Sequence, residues 1–429
     1  MTAAASPSTA YRYYVLAILL LVYCLSFIDR QILAVLSPYI KDELNLSDTE
    51  LGALKGLAFA LFYAGMGVPI ALIGDRVNRV KVIAICLTIW SAMTALSGLA
   101  SNFIHLFLAR MGVGIGEAGG VPPSHSVISD YFPPRERSTA IAIFSLGIPG
   151  GILFGYLAGG WLAANLGWRE TFFVVGLPGI IVALLLRYTV REPSRGASEN
   201  RTNEAKSNVP WTTVVSRLWK TPSYRTVVYG GALNAFCGYA LAMWLVDFLV
   251  RSHGFAPSEV GVPLALVKGV GVGIGIYLGG KVSDRFAVNS PARYLLVPGW
   301  AFAIAAPLMV AAFFVPSATI SLVLLFISFV LIYMSVAPFF TVIQTLAPLN
   351  NRALATAYFL LWQNLIGAGL GPFIMGGMSD VLHQNFGESD ALRLALSSLG
   401  LITGVAAILL LMGAKSVAAD FEKVRNQPV

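Results

Sequence analysis

Apolar residues in this chain run on in blocks of about twenty, broken by short polar connections, instead of alternating or recurring on one helix face. A bilayer core about 30 Å thick takes a helix of about 20 apolar residues to cross. Twelve stretches of that kind follow one another, at about residues 14–40, 51–73, 82–100, 103–128, 138–163, 171–188, 224–249, 258–280, 294–314, 317–345, 353–379 and 391–412. The pattern predicts an all-α membrane protein with twelve transmembrane helices. One polar interruption is long, from Thr189 to Ser223, and its run Glu192-Pro193-Ser194-Arg195-Gly196-Ala197-Ser198 has the composition of a flexible connection. It divides the chain into a six-helix first half (1–188), a cytoplasmic linker (189–223), a six-helix second half (224–412) and a cytoplasmic tail (413–429).

Composition agrees. The 429 residues are 57% hydrophobic and 12% charged, with a mean hydropathy of +0.74, values outside those of a soluble domain. The first apolar stretch is too long for a signal peptide, carries Asp29-Arg30 and lacks a small-residue cleavage site, so it is expected to stay in the mature protein. A net charge of +8 would suit a nucleic-acid partner, but its distribution points elsewhere. With both termini inside, 21 of the 29 Lys and Arg fall on the cytoplasmic side and 4 on the outer side. That asymmetry orients the chain by the positive-inside rule and leaves no basic face for nucleic acid.

Cys24, Cys86 and Cys237 fall inside spans and read as packing residues. His105 and His125 lie near span ends without zinc-ligand spacing, so no metal is expected. There is no P-loop, and Gly112-Val113-Gly114-Ile115-Gly116 lies inside a membrane helix without the strand and helix context of a dinucleotide site. Neither a cofactor nor an enzymatic activity is expected, and transport would run on an ion gradient or on the substrate's own.

The remaining Lys and Arg are Arg30, Lys55, Arg110 and Lys268, within or near the ends of spans. A charge at the centre of a membrane helix costs about 2.5–3.5 kcal/mol, so such residues usually face a polar interior and mark an ion or substrate path. Asp29-Arg30 interrupts the first span. Glu117 lies about fourteen residues into the fourth, roughly 21 Å from its end, and Arg110 stands two turns earlier on a similar face. Adjacent helix residues project about 100° apart, so Asp29 and Arg30 cannot aim at one spot. The expectation is that Asp29 and Glu117 carry protons while Arg30 pairs in turn with them and with an anionic group of the substrate. The alternative is a static salt bridge that fixes packing. Lys268, with Asp247 near the outer end of the seventh span, reads as a gate, a substrate contact or a pair of interfacial groups. Asn234, Tyr333, Gln344, Gln363 and Asn364 either line a cavity or hold helices together.

An internal repeat supports the division into halves. Gly74-Asp75-Arg76, with Arg79 and Lys81, follows the second span; Gly280-Lys281-Val282-Ser283-Asp284-Arg285 follows the eighth; Asp75 and Asp284 are 209 residues apart. Repeats of this kind build many secondary transporters. With the four-residue spacing of Gly147, Gly151, Gly155 and Gly159 in the fifth span, these motifs resemble those of the major facilitator superfamily. Ala71 and Asn78 stand where its signature loop has glycine, and Asn tolerates the left-handed backbone that Gly otherwise provides. Phe27-Ile28-Asp29-Arg30, Arg110-Met111-Gly112-Val113-Gly114-Ile115-Gly116-Glu117-Ala118 and Asp130-Tyr131-Phe132-Pro133-Pro134-Arg135-Glu136-Arg137 resemble, more narrowly, the Spinster group, whose members are linked to lysophospholipids and sphingosine-1-phosphate.

The resemblance implies two six-helix halves rocking about a midplane cavity, with the first and fourth helices on it. It implies proton-coupled alternating access for an amphipathic lipid, in a monomer surrounded by membrane lipids, in a bacterial inner membrane with both termini cytoplasmic. The substrate would meet Arg30, Glu117, Arg110, Lys268, Tyr333 and Asn364, with Phe59 and also Phe27, Phe62, Phe236, Trp244 and Trp362 as apolar wall. Asp75, Arg76, Asp284 and Arg285 would act as conformational latches. The rival readings are a proton-linked carrier of small organic anions or drugs, and a lipid sensor that does not transport.

Overall fold

The computed structural model of the protein describes residues 8–74, 77–194, 211–287, 290–347 and 352–425. These residues form helices joined by short connections, with no strand among the described residues. In chain order the first nine helices are α1 (Thr9–Leu44), α2 (Asp48–Lys55), α3 (Leu57–Gly74), α4 (Arg79–Ser97), α5 (Phe103–Glu117), α6 (Val121–Tyr131), α7 (Pro134–Ser145), α8 (Gly147–Leu166) and α9 (Trp168–Thr189). They are followed by α10 (Trp211–Lys220), α11 (Pro222–His253), α12 (Gly261–Leu264), α13 (Gly271–Ala287), α14 (Arg293–Phe314) and α15 (Ala318–Tyr333). The last are α16 (Val336–Leu346), α17 (Arg352–Trp362), α18 (Gly371–His383) and α19 (Glu388–Arg425). Two segments, Ala265–Val270 and Gln363–Leu370, are wound as π-helix between α12 and α13 and between α17 and α18.

Ten stretches among the described residues are long and apolar enough to cross a membrane. The expected fourth span is not among them, because it is broken. The fourth was read as one helix over 103–128; the structure ends α5 at Glu117, turns through Ala118–Gly120 and restarts at Val121. Pro122 and Pro123 explain the break, since neither has the N–H that would continue the helical ladder. The second span is broken at Gly56, between α2 and α3.

The chain divides into two compact units, Met1–Asn45 with Ala58–Ala205, and Leu46–Leu57 with Lys206–Val429. In the first, α1 packs along α8, and α4 along α5 and α9. The glycine row of α8 is what α1 lies on. A Cβ at Gly151 would stand 2.5 Å from the Cys24 carbonyl oxygen, and one at Gly155 would stand 2.9 Å from the Gln31 Cβ. Backbones this close fix the rotation of α1 about its axis. With Cys24, Ile28 and Gln31 against α8, the neighbouring Asp29 and Arg30 are delivered to α4 and α5. Asn78 has an extended backbone, φ −67°, and its side chain caps α4 by accepting from the Lys81 N–H. It serves as an N-cap and not, as expected, as a left-handed residue.

In the second unit α14 packs on α19 and α15, and α11 on α19. The segment read as a linker contains α10, whose Trp219 ring stacks on Trp362 with centroids 6.2 Å apart. The short α2 packs against α18 within this same unit; a Cβ at Gly52 would stand 2.5 Å from the Pro372 carbonyl oxygen.

If the α1–α8 contact sets the register of the first unit, Gly151→Leu should be more damaging than an exposed-face change such as Ile181→Ala on α9. Overpacking of a tight contact costs about 1–3 kcal/mol, so the expected result is a clear fall in the thermal unfolding midpoint for Gly151→Leu and little change for Ile181→Ala. Equal midpoints would show that the contact tolerates a side chain.

Candidate functional site

Asp29 and Arg30, adjacent on α1, turn to different partners on α5. The Arg30 Nε and Nη2 both reach Glu117 Oε2, at 2.8 and 2.7 Å. Arg110 Nη1 reaches Asp29 Oδ2 at 2.9 Å. Positions 110 and 117 stand about 10 Å apart along the helix axis, whereas 29 and 30 are one residue apart, so it is the length of the two arginine side chains that closes both pairs. Asp29, Arg110 and Glu117 are each 2% exposed.

The two carboxylates are satisfied differently. Asp29 uses both oxygens: Oδ1 accepts from Thr94 Oγ1 of α4 at 2.5 Å and Oδ2 accepts from Arg110. Glu117 uses one. Both Arg30 nitrogens converge on Oε2, and Oε1 is buried without a hydrogen-bond partner. Glu117 is also the last residue of α5, where the negative end of the helix dipole opposes a carboxylate, so Arg30 supplies the compensating charge. Arg30 has a second set of contacts. Its guanidinium lies 4.9, 4.7 and 5.1 Å from the ring centroids of Phe27, Phe59 and Tyr63, within cation–π range. Phe59 is brought in by a close approach: a Cβ at Gly114 would stand 2.5 Å from its carbonyl oxygen. Arg30 and Glu117 line a small cavity of about 10 Å³ together with Ser26, Trp90 and Ser124, room for about one water molecule.

A match to the Major Facilitator Superfamily model covers residues 19–372. An MFS-type efflux pump of Mycolicibacterium smegmatis is 34% identical over 396 residues, covering 90% of each chain. The chain belongs to the major facilitator superfamily. Protein spinster homolog 1 of Xenopus laevis is 27% identical over 396 residues, 87% of this chain and 74% of that one. A solved structure of a bacterial homolog of the human lysosomal transporter Spinster, inward-facing and unoccupied, superposes with a TM-score of 0.88 at 34% identity, covering 99% of this chain and 100% of that one. The protein is therefore an integral multi-pass membrane transporter of the Spinster type within the superfamily.

Of the residues expected to serve this transporter, Asp29, Arg30, Arg110, Glu117 and Phe59 come together as described. The second-unit residues do not converge so tightly. Lys268 sits on the π segment Ala265–Val270, 3% exposed, its Nζ donating to the Ala242 carbonyl of α11 at 3.3 Å; it does not snorkel to the interface. Asn364 donates to Leu360 O of its own helix at 2.9 Å. Tyr333 closes α15. Trp244 is not a cavity wall: it is fully buried and its Nε1 donates to Pro372 O at 2.9 Å. Of the expected latches, Asp75 and Arg76 lie outside the described residues; Asp284 is exposed and accepts from the Tyr294 hydroxyl at 3.2 Å, and Arg285 is exposed.

Two charged clusters escaped the sequence reading. Arg79, 3% exposed, donates to Asp130 at 2.5 Å and to Glu192 at 2.7 Å, tying the start of α4 to α6 and to the chain beyond α9. In the second unit, Lys55 Nζ lies 2.5 Å from Asp247 Oδ2 and 4.1 Å from the Trp244 ring, while Arg251 donates to both oxygens of Asp48 at 2.8 Å each. The Asp380 carboxylate accepts from the Asp48 and Thr49 N–H groups at 2.9 and 2.7 Å, at the start of α2. The signal for the second cluster lay in the charge order. Asp48 and Lys55 bracket α2, and Asp247 and Arg251 stand one turn apart on α11, a crossed pattern that two helices can satisfy together.

Removing one member of a buried pair leaves the other uncompensated, at a cost of about 3–5 kcal/mol. Asp29→Leu and Arg110→Leu should therefore each destabilise the protein strongly, and the two combined should recover most of the loss. A double-mutant cycle on thermal unfolding checks this, and additive single-site losses would show that the pair is not coupled.

Proposed function

We propose that the protein carries an amphipathic lipid-like molecule with an anionic head group, of the lysophospholipid or sphingosine-phosphate kind, by proton-coupled alternating access. The observation that carries this reading is the asymmetric Arg30–Glu117 pair, with one carboxylate oxygen occupied, one unpartnered and buried, and three aromatic rings around the guanidinium. A proton on Oε1 neutralises Glu117 without first displacing any hydrogen bond. Arg30, still held by the rings, is then released from its counter-charge and takes an anion in its place. The charged groups that face Glu117 are Arg30 and Asp29 from α1 and Arg110 from its own helix. Asp29, with both oxygens engaged, keeps Arg110 neutralised and in position, so the exchanging proton belongs on Glu117. Phe27, Phe59 and Tyr63 supply the apolar surface an acyl-bearing molecule needs beside its charge. The Lys and Arg distribution supports an orientation with both termini in the cytoplasm and suits a bacterial inner membrane.

One observation favours a second reading. The Mycolicibacterium smegmatis relative is named as an efflux pump, and a grouping of arginine, carboxylate and aromatic side chains also suits drug-like amphipaths.

Reconstituted in liposomes, the wild type should accumulate a labelled lysolipid in response to an imposed pH gradient. Glu117→Gln, which fixes the neutral form, should bind the lysolipid with no dependence on pH and lose gradient-driven accumulation by at least about tenfold, the factor expected for about 1.4 kcal/mol of lost coupling. Gradient-driven uptake that survives in Glu117→Gln would remove this residue from the coupling. Competition by ethidium but not by lysolipid would move the substrate to the efflux class.

A further inference from the structure

The two units share a pattern of helix ends, which allows their elements to be compared. α1 ends at Leu44 and α11 at His253, 209 residues apart, the same offset that relates Asp75 to Asp284. It carries Asp29 and Arg30 onto Gly238 and Tyr239. The break in the fourth span also has a counterpart. α15 closes on Tyr333 as α5 closes on Glu117, Met334 and Ser335 form a turn, and α16 resumes with 11 residues, as α6 does.

In the first unit the residue that closes α5 meets position 30. In the second, the residue that closes α15 meets positions 238 and 239. The Tyr333 hydroxyl lies 3.4 Å from where a Cβ on Gly238 would stand, and Tyr239 is its electrostatic neighbour. Where one unit holds an ion pair, the other holds two phenols.

Asn234, one turn before Gly238, adds an unsatisfied group. Its Nδ2 donates to Ser335 Oγ at 3.3 Å, in the turn that ends α15, and its Oδ1 is buried without a hydrogen-bond partner. The amide orientation is fixed by the serine: Ser335 Oγ donates its own hydrogen to Ile332 O at 2.8 Å and can only accept from Asn234. A buried acceptor left unpaired loses its hydration without compensation. Close by, Gln363 of the π segment donates to Gly231 O at 3.3 Å, and π turns inside helices gather at functional sites.

We propose that Asn234, Tyr239 and Tyr333 form an uncharged hydrogen-bonding subsite of the second unit that accepts a hydroxyl or amide N–H of the transported molecule. The proposal deepens the carrier reading above and rests on it. Asn234 Oδ1 is the acceptor that the donor fills, and the two phenols, able to give or take a hydrogen bond, orient the group. A site of this kind discriminates sharply, because a molecule lacking the donor leaves the buried oxygen unpaired.

The test uses the full-length protein in liposomes with Gly238→Cys, which stands beside the Tyr333 hydroxyl and keeps Asn234, Tyr239 and Tyr333, the wild type serving as blank because Cys24, Cys86 and Cys237 are buried. N-ethylmaleimide should modify position 238, read by mass spectrometry. Lysophosphatidylglycerol, with two head-group hydroxyls and one free backbone hydroxyl, should slow the modification at least fivefold, and the same lipid with all three hydroxyls methylated should not. Should the mutant fail to fold, Tyr239→Cys takes its place in the same assay. A position that never reacts, or one that no transported molecule protects, overturns the subsite. Protection by ethidium, whose amino groups are donors, with none by either lipid, overturns the lipid reading and leaves the subsite standing.

Discussion

A charge inside a membrane helix needs a counter-charge or a backbone carbonyl in reach, and the first unit is organised around the first of these. α1 presents opposite charges on adjacent residues, and α5 presents their complements two turns apart. Two arginine side chains bridge the mismatch. The arrangement holds only if α1 keeps its rotation, which the glycine row of α8 enforces, and only if α5 ends where it does, which Pro122 and Pro123 ensure. Packing and electrostatics are thus one constraint seen twice. The small residues bring backbones together, and the approach sets the opposite charges beside each other.

The same constraint is met differently in the second unit. There the residues at the related places are neutral, and the ionic pairing is concentrated at α2, whose Asp48 and Lys55 engage Arg251 and Asp247 of α11. Both ends of this eight-residue helix are held, the start by the Asp380 carboxylate and the finish by an aromatic ring beneath Lys55. Related sequences folded in the same way therefore carry different chemistry, one unit poised around a carboxylate with a free oxygen and the other around hydroxyl and amide groups.

Much of this was legible in the sequence, for physical reasons. Blocks of about twenty apolar residues can only be membrane helices, and charges within them stand out against that background, so Asp29, Arg30, Arg110 and Glu117 were visible. The four-residue glycine spacing announced a helix contact, and the structure shows α1 as the helix it receives. What stayed hidden depended on tertiary placement. Hydropathy does not register a break such as Ala118–Gly120, because the prolines that cause it are as compatible with an apolar run as any other residue. Lys55 looked like a residue near a span end until Asp247 was seen beside it. Asn78 matched a glycine position in the motif, yet local hydrogen bonding made it a cap. Pairings of residues about 200 apart leave no trace in one sequence except complementary charge.

The account turns on a proton exchanging at Glu117 while the neighbouring Asp29 stays engaged. Difference infrared spectroscopy of the reconstituted protein tests this directly, by recording the carboxyl C=O region as lysolipid is added at constant pH. The account predicts one carboxylic-acid band that appears on ligand addition, is absent from Glu117→Gln and persists in the variant lacking both Asp29 and Arg110 charges. A carboxyl region that does not respond to ligand, or responds identically in Glu117→Gln, would contradict it.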